Sequence, residues 1–229
     1  QVVLDRGQEA VLEFTAFLRE FVQLRRDHMT DSDDDIVSRL LRWRSGEFRF
    51  TESELYHQCI FLLNAGHETT TNLIGNSVVL LLQRPDVRRQ LIENPGLIET
   101  AIDEFLRFES PNQLGNRTTT REVTLGSLVI PANTVLTLCI GAANRDPEVF
   151  RSPETLMISR LPNSHLAFGS GVHTCAGLNI ARLEGREAIL RLIQRFPGLS
   201  LDGQPTNCGE DFVVLPREEI RGEIDIYEP

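Results

Sequence analysis

From Ser53 to about Gln83 nothing in the chain stops a helix except Gly66. At about 1.5 Å per residue such a helix extends roughly 45 Å, long enough to cross a whole domain. TESE at Thr51–Glu54 opens it with a capping-box pattern, in which the threonine and glutamate satisfy each other's amides. The run is apolar nearly all round, which predicts a central, buried helix. Whatever else the chain forms has to pack around that rod.

The remaining pattern is mainly α with a small β region. Residues 7–27 place Val11, Phe14, Leu18, Phe21 and Val22 on one helical face, with charges opposite. A second short helix is expected over Asp35–Arg44. RPDVRRQLIENPG, with a proline near each end, predicts another, and Pro95–Arg107 a further one, ended by ESP before Pro111. The character then changes: TREVTLGSLVIPANTVLTLCI alternates, is rich in β-branched residues, and has turn signals at Gly126 and PAN. An irregular, proline-punctuated stretch follows, then a glycine-rich loop, a helix from about Ala176 to Arg195, and a short β-like tail. No internal repeat, linker or low-complexity tract interrupts this order.

Composition excludes some partners. The chain has 229 residues, 41% of them hydrophobic, a formal charge of −10 and a pI near 5.0. An acidic chain without a basic run is not built for nucleic acid. The charge-dense DSDDD at Asp31–Asp35 reads as a solvated loop. No run of eighteen apolar residues suggests a membrane anchor in this sequence, and no signal-peptide pattern precedes the first helix. Cys59, Cys139, Cys175 and Cys208 are scattered without paired spacing, a poor zinc or disulfide framework, so a reducing cytoplasm is expected. The sequence starts at Gln1, which suggests a processed piece or the C-terminal part of something longer.

One cysteine stands apart. HLAFGSGVHTCAGLNIARLEG sets Cys175 at the end of a glycine-rich loop, just before a helix. A helix N-terminus presents unpaired N–H groups and partial positive charge, which favour a thiolate over a thiol. Gly169, Gly171 and Gly177 let the backbone come close to the sulfur, and Phe168 is placed to cover it. A nucleophilic cysteine with His173 as its base is one reading, and a small core residue beside a helix cap is the plainer one. The nucleophile reading leaves the aromatic and the glycines unexplained.

These residues carry a resemblance. FGSGVHTCAG, followed by Ala181-Arg182, resembles the haem-binding signature of the cytochrome P450 superfamily, bacterial soluble type. The resemblance implies that Cys175 is the metal ligand, the axial thiolate of the iron of haem b (iron protoporphyrin IX), pushing electron density toward O–O cleavage. It also implies that Phe168 shields the sulfur, that His173 reaches a propionate, and that Gly169 and Gly177 belong to the cofactor site.

Three further stretches agree with it. AGHETT at Ala65–Thr70 interrupts the long helix with a glycine that costs about 1 kcal/mol relative to alanine. By itself it suits close helix packing, with threonines bonding back to carbonyls. The resemblance makes Ala65 and Gly66 the residues that keep space clear above the iron, and Glu68 and Thr69 the catalytic proton carriers. Asn64 departs from the apolar residue usual before that match. EFLR places Glu104 and Arg107 on one helix face, by itself an ordinary surface pair. The resemblance buries them and adds Arg160 as a third, structural member. Arg117 in GNRTTT reads as an exposed arginine at a strand entrance. The resemblance turns it toward a propionate, with Asn112, Gln113 and Leu114 bordering substrate and Ile220–Ile226 as a looser substrate match.

The implied reaction inserts one atom of dioxygen into a small organic substrate and reduces the other to water. Electrons would come from a ferredoxin and its NAD(P)H-dependent reductase, and Arg182, Arg186 and Arg191 are candidates for the docking face. A solvated helix face explains those arginines equally well. Family members usually run to about four hundred residues, so residues 1–229 correspond to the C-terminal portion of a single domain, without its N-terminal helices and strands. Retention of every motif favours a fragment of an enzyme over a short relative. The competing functions are a peroxide-driven haem-thiolate enzyme, which Glu68 and Thr69 argue against, and a partner-binding accessory protein, which has no need of Cys175.

Overall fold

The computed structural model describes residues 2–201. The β-like tail and the substrate match at Ile220–Ile226 lie outside the described residues. The chain divides into two compact units, with the break between Ala65 and Gly66, inside the longest helix.

In the first unit, α1 (Val2–His28) is followed by α2 (Ile36–Arg42) and the start of α3 (Glu52–Gln83). Asp35 caps α2, its carboxylate accepting the Ser38 amide at 3.0 Å. The capping box forms as the sequence predicts: the Thr51 amide donates to the Glu54 carboxylate at 2.8 Å and the Glu54 amide to Thr51 Oγ1 at 3.3 Å. Leu18, Val22, Leu55 and Tyr56 make a small core, edged by Phe14, Leu40, Leu41 and Phe50. The expected apolar face of α1 is only partly covered. Leu18 and Val22 are buried, whereas Val11 and Phe21 stay exposed, Phe21 beside Phe17 in a stack of rings 6.0 Å apart.

The second unit holds the rest of α3, then α4 (Pro85–Glu93), a single 3₁₀ turn at Pro95–Leu97, and α5 (Ile98–Phe108). The predicted Pro95–Arg107 helix is therefore a tight turn followed by an α-helix, because proline suits the first turn and supplies no amide to the ladder. Two small antiparallel ladders follow. β1 (Leu114–Thr118) pairs with β4 (Val135–Cys139) in the register Leu114–Cys139 to Thr118–Val135, and β2 (Val123–Leu125) forms a hairpin with β3 (Leu128–Ile130). Gly126, at φ +57°, makes the hairpin turn. A one-turn helix α6 (Ile140–Ala143) leads into the irregular stretch, and α7 (Leu178–Arg195) packs against α5 and α4.

The core lies between α3, α4, α5 and α7, with Leu73, Leu81, Leu91, Ile102, Phe105, Ile158 and Ile189 at its centre. Gly185 marks the tightest helix crossing: a Cβ there would come 3.2 Å from both Ile102 Cδ1 and Leu73 Cδ2. Burial of α3 is uneven, which corrects the expectation of a wholly central helix. From Leu73 to Leu81 most of it is buried, while Phe61 and Leu63 remain 63% and 54% exposed. Apolar composition sets what a helix is able to bury, not how much cover it receives. Among the described residues no helix is long and apolar enough to cross a membrane.

Replacing Gly185 by valine inserts branched carbon into the α5–α7 contact. The expected loss is about 1–3 kcal/mol, the usual cost of overpacking, read as a lower urea midpoint at unchanged denaturant slope.

Candidate functional site

The site begins with a carboxylate that has no access to water. Glu104, on the buried face of α5, accepts from Arg107 twice, Nε to Oε2 and Nη2 to Oε1, each at 2.8 Å. Arg160 Nε adds a third contact at 3.0 Å, the Met157 amide a fourth at 2.8 Å, and Asn163 Nδ2 a fifth at 3.2 Å. The structure thus brings Glu104, Arg107 and Arg160 together, all three buried. A buried pair survives desolvation only when its remaining donors are also satisfied, and here they are. Arg107 Nη1 donates to the carbonyls of Asn144 and Pro153, both at 2.9 Å, while Arg160 Nη1 donates to Arg151 at 2.8 Å and Nη2 to Ser152 and Thr155 at 3.3 and 3.1 Å. Ser152 sits at φ +49°, a conformation L residues rarely adopt, within the segment these guanidiniums hold.

Asn144, which the sequence reading passed over, connects this cluster to the cysteine loop. Its side chain is fully buried, donating to Ser110 Oγ at 2.7 Å and accepting the Leu166 amide at 2.7 Å. A motif scan has no reason to find it, since a lone asparagine after a short apolar run reads as a turn residue.

From Leu166 the chain enters a tight double turn. Gly169 and Gly171 stand at φ +69° and +65°. A Cβ on Gly169 would sit 3.0 Å from the His173 carbonyl oxygen, so glycine is required there on two counts. The Cys175 amide donates to the Phe168 carbonyl at 2.8 Å and closes the turn. Cys175 is exposed. Gly177 caps α7, and a Cβ on it would lie 3.9 Å from the Cys175 sulfur, an ordinary contact. The helix itself begins at Leu178, so Ala176 and Gly177 separate the cysteine from its first residue. His173, in the single 3₁₀ turn Gly171–His173, is exposed.

Phe168 is held on two sides. The Arg182 guanidinium lies over its ring at 4.9 Å and the His165 ring stands 5.7 Å away. Both neighbours bond to Asp103 Oδ1, Arg182 Nε at 2.8 Å and His165 Nε2 at 3.4 Å. Burial raises the Asp103 pKa, but the hydrogen bonds from His165 and Arg182 outweigh it and hold the carboxyl below the usual aspartate range. Asp103 and His165 were not singled out in the sequence. The only signal was an acid directly before the EFLR glutamate and a histidine opening the cysteine loop.

The other candidates are spread over their elements. Gly66 and Glu68 are exposed on α3 and Thr69 is half-buried, one residue beyond Glu68. Ala65, also exposed, is the last residue of the first unit. Arg117 is exposed on β1, its guanidinium donating only to the adjacent Asn116 carbonyl at 2.8 Å, with no carboxylate partner among the described residues. Asn112 is exposed and Leu114 half-buried, whereas the Gln113 amide turns back on its own backbone, donating to the Ser110 carbonyl at 2.7 Å. Gly141 leaves room for that side chain, because a Cβ there would overlap Gln113 Oε1. The three arginines considered as a docking face are all paired, Arg182 with Asp103 and Arg186 with Glu99 at 2.8 Å each, and Arg191 with Glu187 at 2.9 Å. Each therefore has a carboxylate partner: Glu187 lies four residues before Arg191 on the same helix, whereas Asp103 and Glu99 lie on α5, far from Arg182 and Arg186 in sequence.

The donor set fits an iron porphyrin. No group of three His, Cys, Asp or Glu among the described residues is gathered to hold a bare metal ion. The turn offers one exposed cysteine on a backbone that glycines favour, and β1 separately offers an exposed arginine with no carboxylate partner among the described residues. That suits a metal whose other ligands come from a macrocycle carrying its own carboxylates.

Comparison with known proteins agrees. The Cytochrome P450 family model matches residues 3–221. The chain belongs to the cytochrome P450 family. It is 43% identical over 198 residues to the biotin biosynthesis cytochrome P450 of Bacillus subtilis, covering 86% of this chain and 49% of that one. To the vitamin D(3) 25-hydroxylase of Pseudonocardia autotrophica it is 41% identical over 199 residues, again 86% of this chain and 49% of the relative. Among solved P450 structures it resembles P450BioI in complex with an acyl carrier protein ligated by hexadec-9Z-enoic acid (TM-score 0.82, 42% identity, 89% of this chain and 52% of that one). It also resembles CYP109E1 from Bacillus megaterium bound to testosterone (TM-score 0.86, 32% identity, 92% and 58%). The chain spans about half the length of the curated relatives it matches.

Substituting Glu104 by glutamine leaves two buried guanidiniums around a neutral amide. The expected cost is about 3–5 kcal/mol, measured as a fall in the urea midpoint with loss of protection at the Met157 amide.

Proposed function

We propose that this chain carries the haem-holding and oxygen-handling part of a haem-thiolate monooxygenase. Such an enzyme inserts one atom of dioxygen into a small organic substrate and reduces the other to water. The observation that carries the proposal is the Cys175 turn, with its exposed sulfur and the two positive-φ glycines before it, in a chain of the P450 family.

In this reading haem b supplies the redox chemistry that activates dioxygen, and every other task falls to side chains. The Cys175 sulfur would hold the iron as its thiolate ligand. The Phe168 ring would shield the sulfur; because loss of water disfavours a thiolate, its charge would be maintained by coordination to the iron and by nearby backbone amides. Gly169 and Gly177 would let the backbone lie close to the sulfur, while Ala65 and Gly66 on α3 would keep space clear above the iron. Arg117 and His173 would take the two propionates, the arginine as a charge-assisted donor with no competing carboxylate among the described residues.

Glu68 and Thr69 carry protons from solvent to the oxygen being reduced. Their neighbouring positions suit a relay from an exposed carboxylate to a half-buried hydroxyl. Asn112 and Leu114 border the substrate. Gln113 assists by fixing the backbone between them, since its own amide is engaged with Ser110.

Electrons come from a ferredoxin reduced by an NAD(P)H-dependent partner, in the cytoplasm. Pairing of Arg182, Arg186 and Arg191 means that docking relies less on a bare positive face than the sequence suggests. Relatives named as hydroxylases of vitamin D(3) and of 6-deoxyerythronolide B support an organic substrate.

Two substitutions separate the roles. Cys175→Ala removes the thiolate absorbance of the haem-loaded protein, and retention of that absorbance would end the ligand assignment. Thr69→Ala keeps the spectrum but lowers product formed per NAD(P)H consumed, because proton delivery to the oxygen is impaired, with the missing oxygen recovered as hydrogen peroxide. Unchanged coupling would remove Thr69 from the relay.

A further inference from the structure

One carboxylate oxygen, Asp103 Oδ1, takes hydrogen bonds from two side chains that both touch the same aromatic ring. Arg182 Nε donates to it at 2.8 Å and His165 Nε2 at 3.4 Å. The Ala167 amide donates to His165 Nδ1 at 3.2 Å, which leaves the imidazole proton on Nε2, facing the aspartate. Arg182 then covers the Phe168 ring at 4.9 Å and His165 flanks it at 5.7 Å. Phe168 in turn accepts the Cys175 amide through its carbonyl at 2.8 Å.

We propose that Asp103 is a positioning residue for the cysteine turn, acting through Arg182 and His165 on Phe168 and through Phe168 on Cys175. The proposal rests on the reading of Cys175 as the functional sulfur. A ligand thiolate has to be held in place by residues around it, and orientation by an outer layer of hydrogen bonds is how proteins hold such ligands. Glu104 anchors the irregular stretch before the turn. Asp103, the adjacent residue on α5, reaches the turn itself, so two successive acids on one helix divide the work.

A purely structural role is the natural competitor, because Asp103–Arg182 also ties α5 to α7. The molecule contains its own control. Glu99, one turn earlier on α5, pairs with Arg186 at 2.8 Å, one turn later on α7, and so ties the same two helices together. Arg186 has no ring contact among the described residues. If Asp103 only joins helices, losing either pair has the same effect on the turn. If it positions the turn, only one does.

The test compares Asp103→Asn, Arg182→Lys and Glu99→Gln by residue-resolved amide exchange and by the rate at which iodoacetamide alkylates Cys175, with exposed Cys139 as internal reference. Arg182→Lys keeps the charge pair but loses the flat stacking surface and the fixed fork, so it answers even where Asp103→Asn fails to fold. Asp103→Asn and Arg182→Lys are expected to speed exchange of the Cys175 amide by roughly tenfold, the factor that follows from weakening one ordinary hydrogen bond. Cys175 alkylation should change relative to Cys139, while the Ile189 and Ile193 amides keep their wild-type rates. Glu99→Gln should leave Cys175 at wild-type values. Unchanged Cys175 exchange in Arg182→Lys, an equal rise at Ile189, or an equal rise in Glu99→Gln would overturn the proposal. None of these readouts needs porphyrin, so failure to bind haem would count against the monooxygenase reading alone.

Discussion

The Glu104 carboxylate is the interaction on which the rest of the second unit depends. It is buried, it is charged, and it stands between two guanidiniums whose other donors reach the carbonyls of Asn144, Arg151, Ser152, Pro153 and Thr155. The stretch those carbonyls belong to has almost no regular structure of its own. Its backbone polar groups still need partners: Glu104 and Arg107 of α5 supply some, and Arg160, within the stretch and held by Glu104, supplies the others. What looks like a loop in the sequence is therefore shaped by one buried acid and the two guanidiniums around it.

From that anchor, position passes outward in short steps. Asn144 donates to Ser110 and accepts from Leu166, so the residue held by Arg107 through its carbonyl also fixes the entrance to the cysteine loop through its amide. Gly169 and Gly171 then turn the chain at angles other residues rarely adopt, and the Phe168 carbonyl receives the Cys175 amide. An exposed cysteine is thus tied, through Leu166 and Phe168, to a buried anchor at Asn144 and Glu104. Exposure gives access to a ligand, and the buried anchor limits where the sulfur is able to move.

Much of this was legible before any coordinates. The helices were, because periodicity, caps and prolines are local signals; the Thr51–Glu54 capping box is an example. The cysteine loop stood out by its glycines and spacing, whereas Glu104–Arg107 read by itself as a surface pair; its burial and its third member Arg160 were implied only by the family resemblance. Strand β1 was missed because Gly115, Asn116 and Arg117 carry no β signal; its pairing with β4 makes it a strand. Asn144, Asp103 and His165 were missed because their importance lies in partners far away in sequence. The uncovered part of α3 was misjudged, since hydropathy reports an appetite for burial and not its fulfilment. The arginines of α7 looked free for the same reason: their carboxylate partners sit mostly on another helix.

The central claim is that the Cys175 sulfur binds haem iron as a thiolate. Its most direct test is the absorbance spectrum of the protein, loaded with haem, reduced and exposed to carbon monoxide. The account predicts a Soret band at the position typical of thiolate-ligated haem. A band typical of histidine ligation, or no bound haem at all, would contradict it.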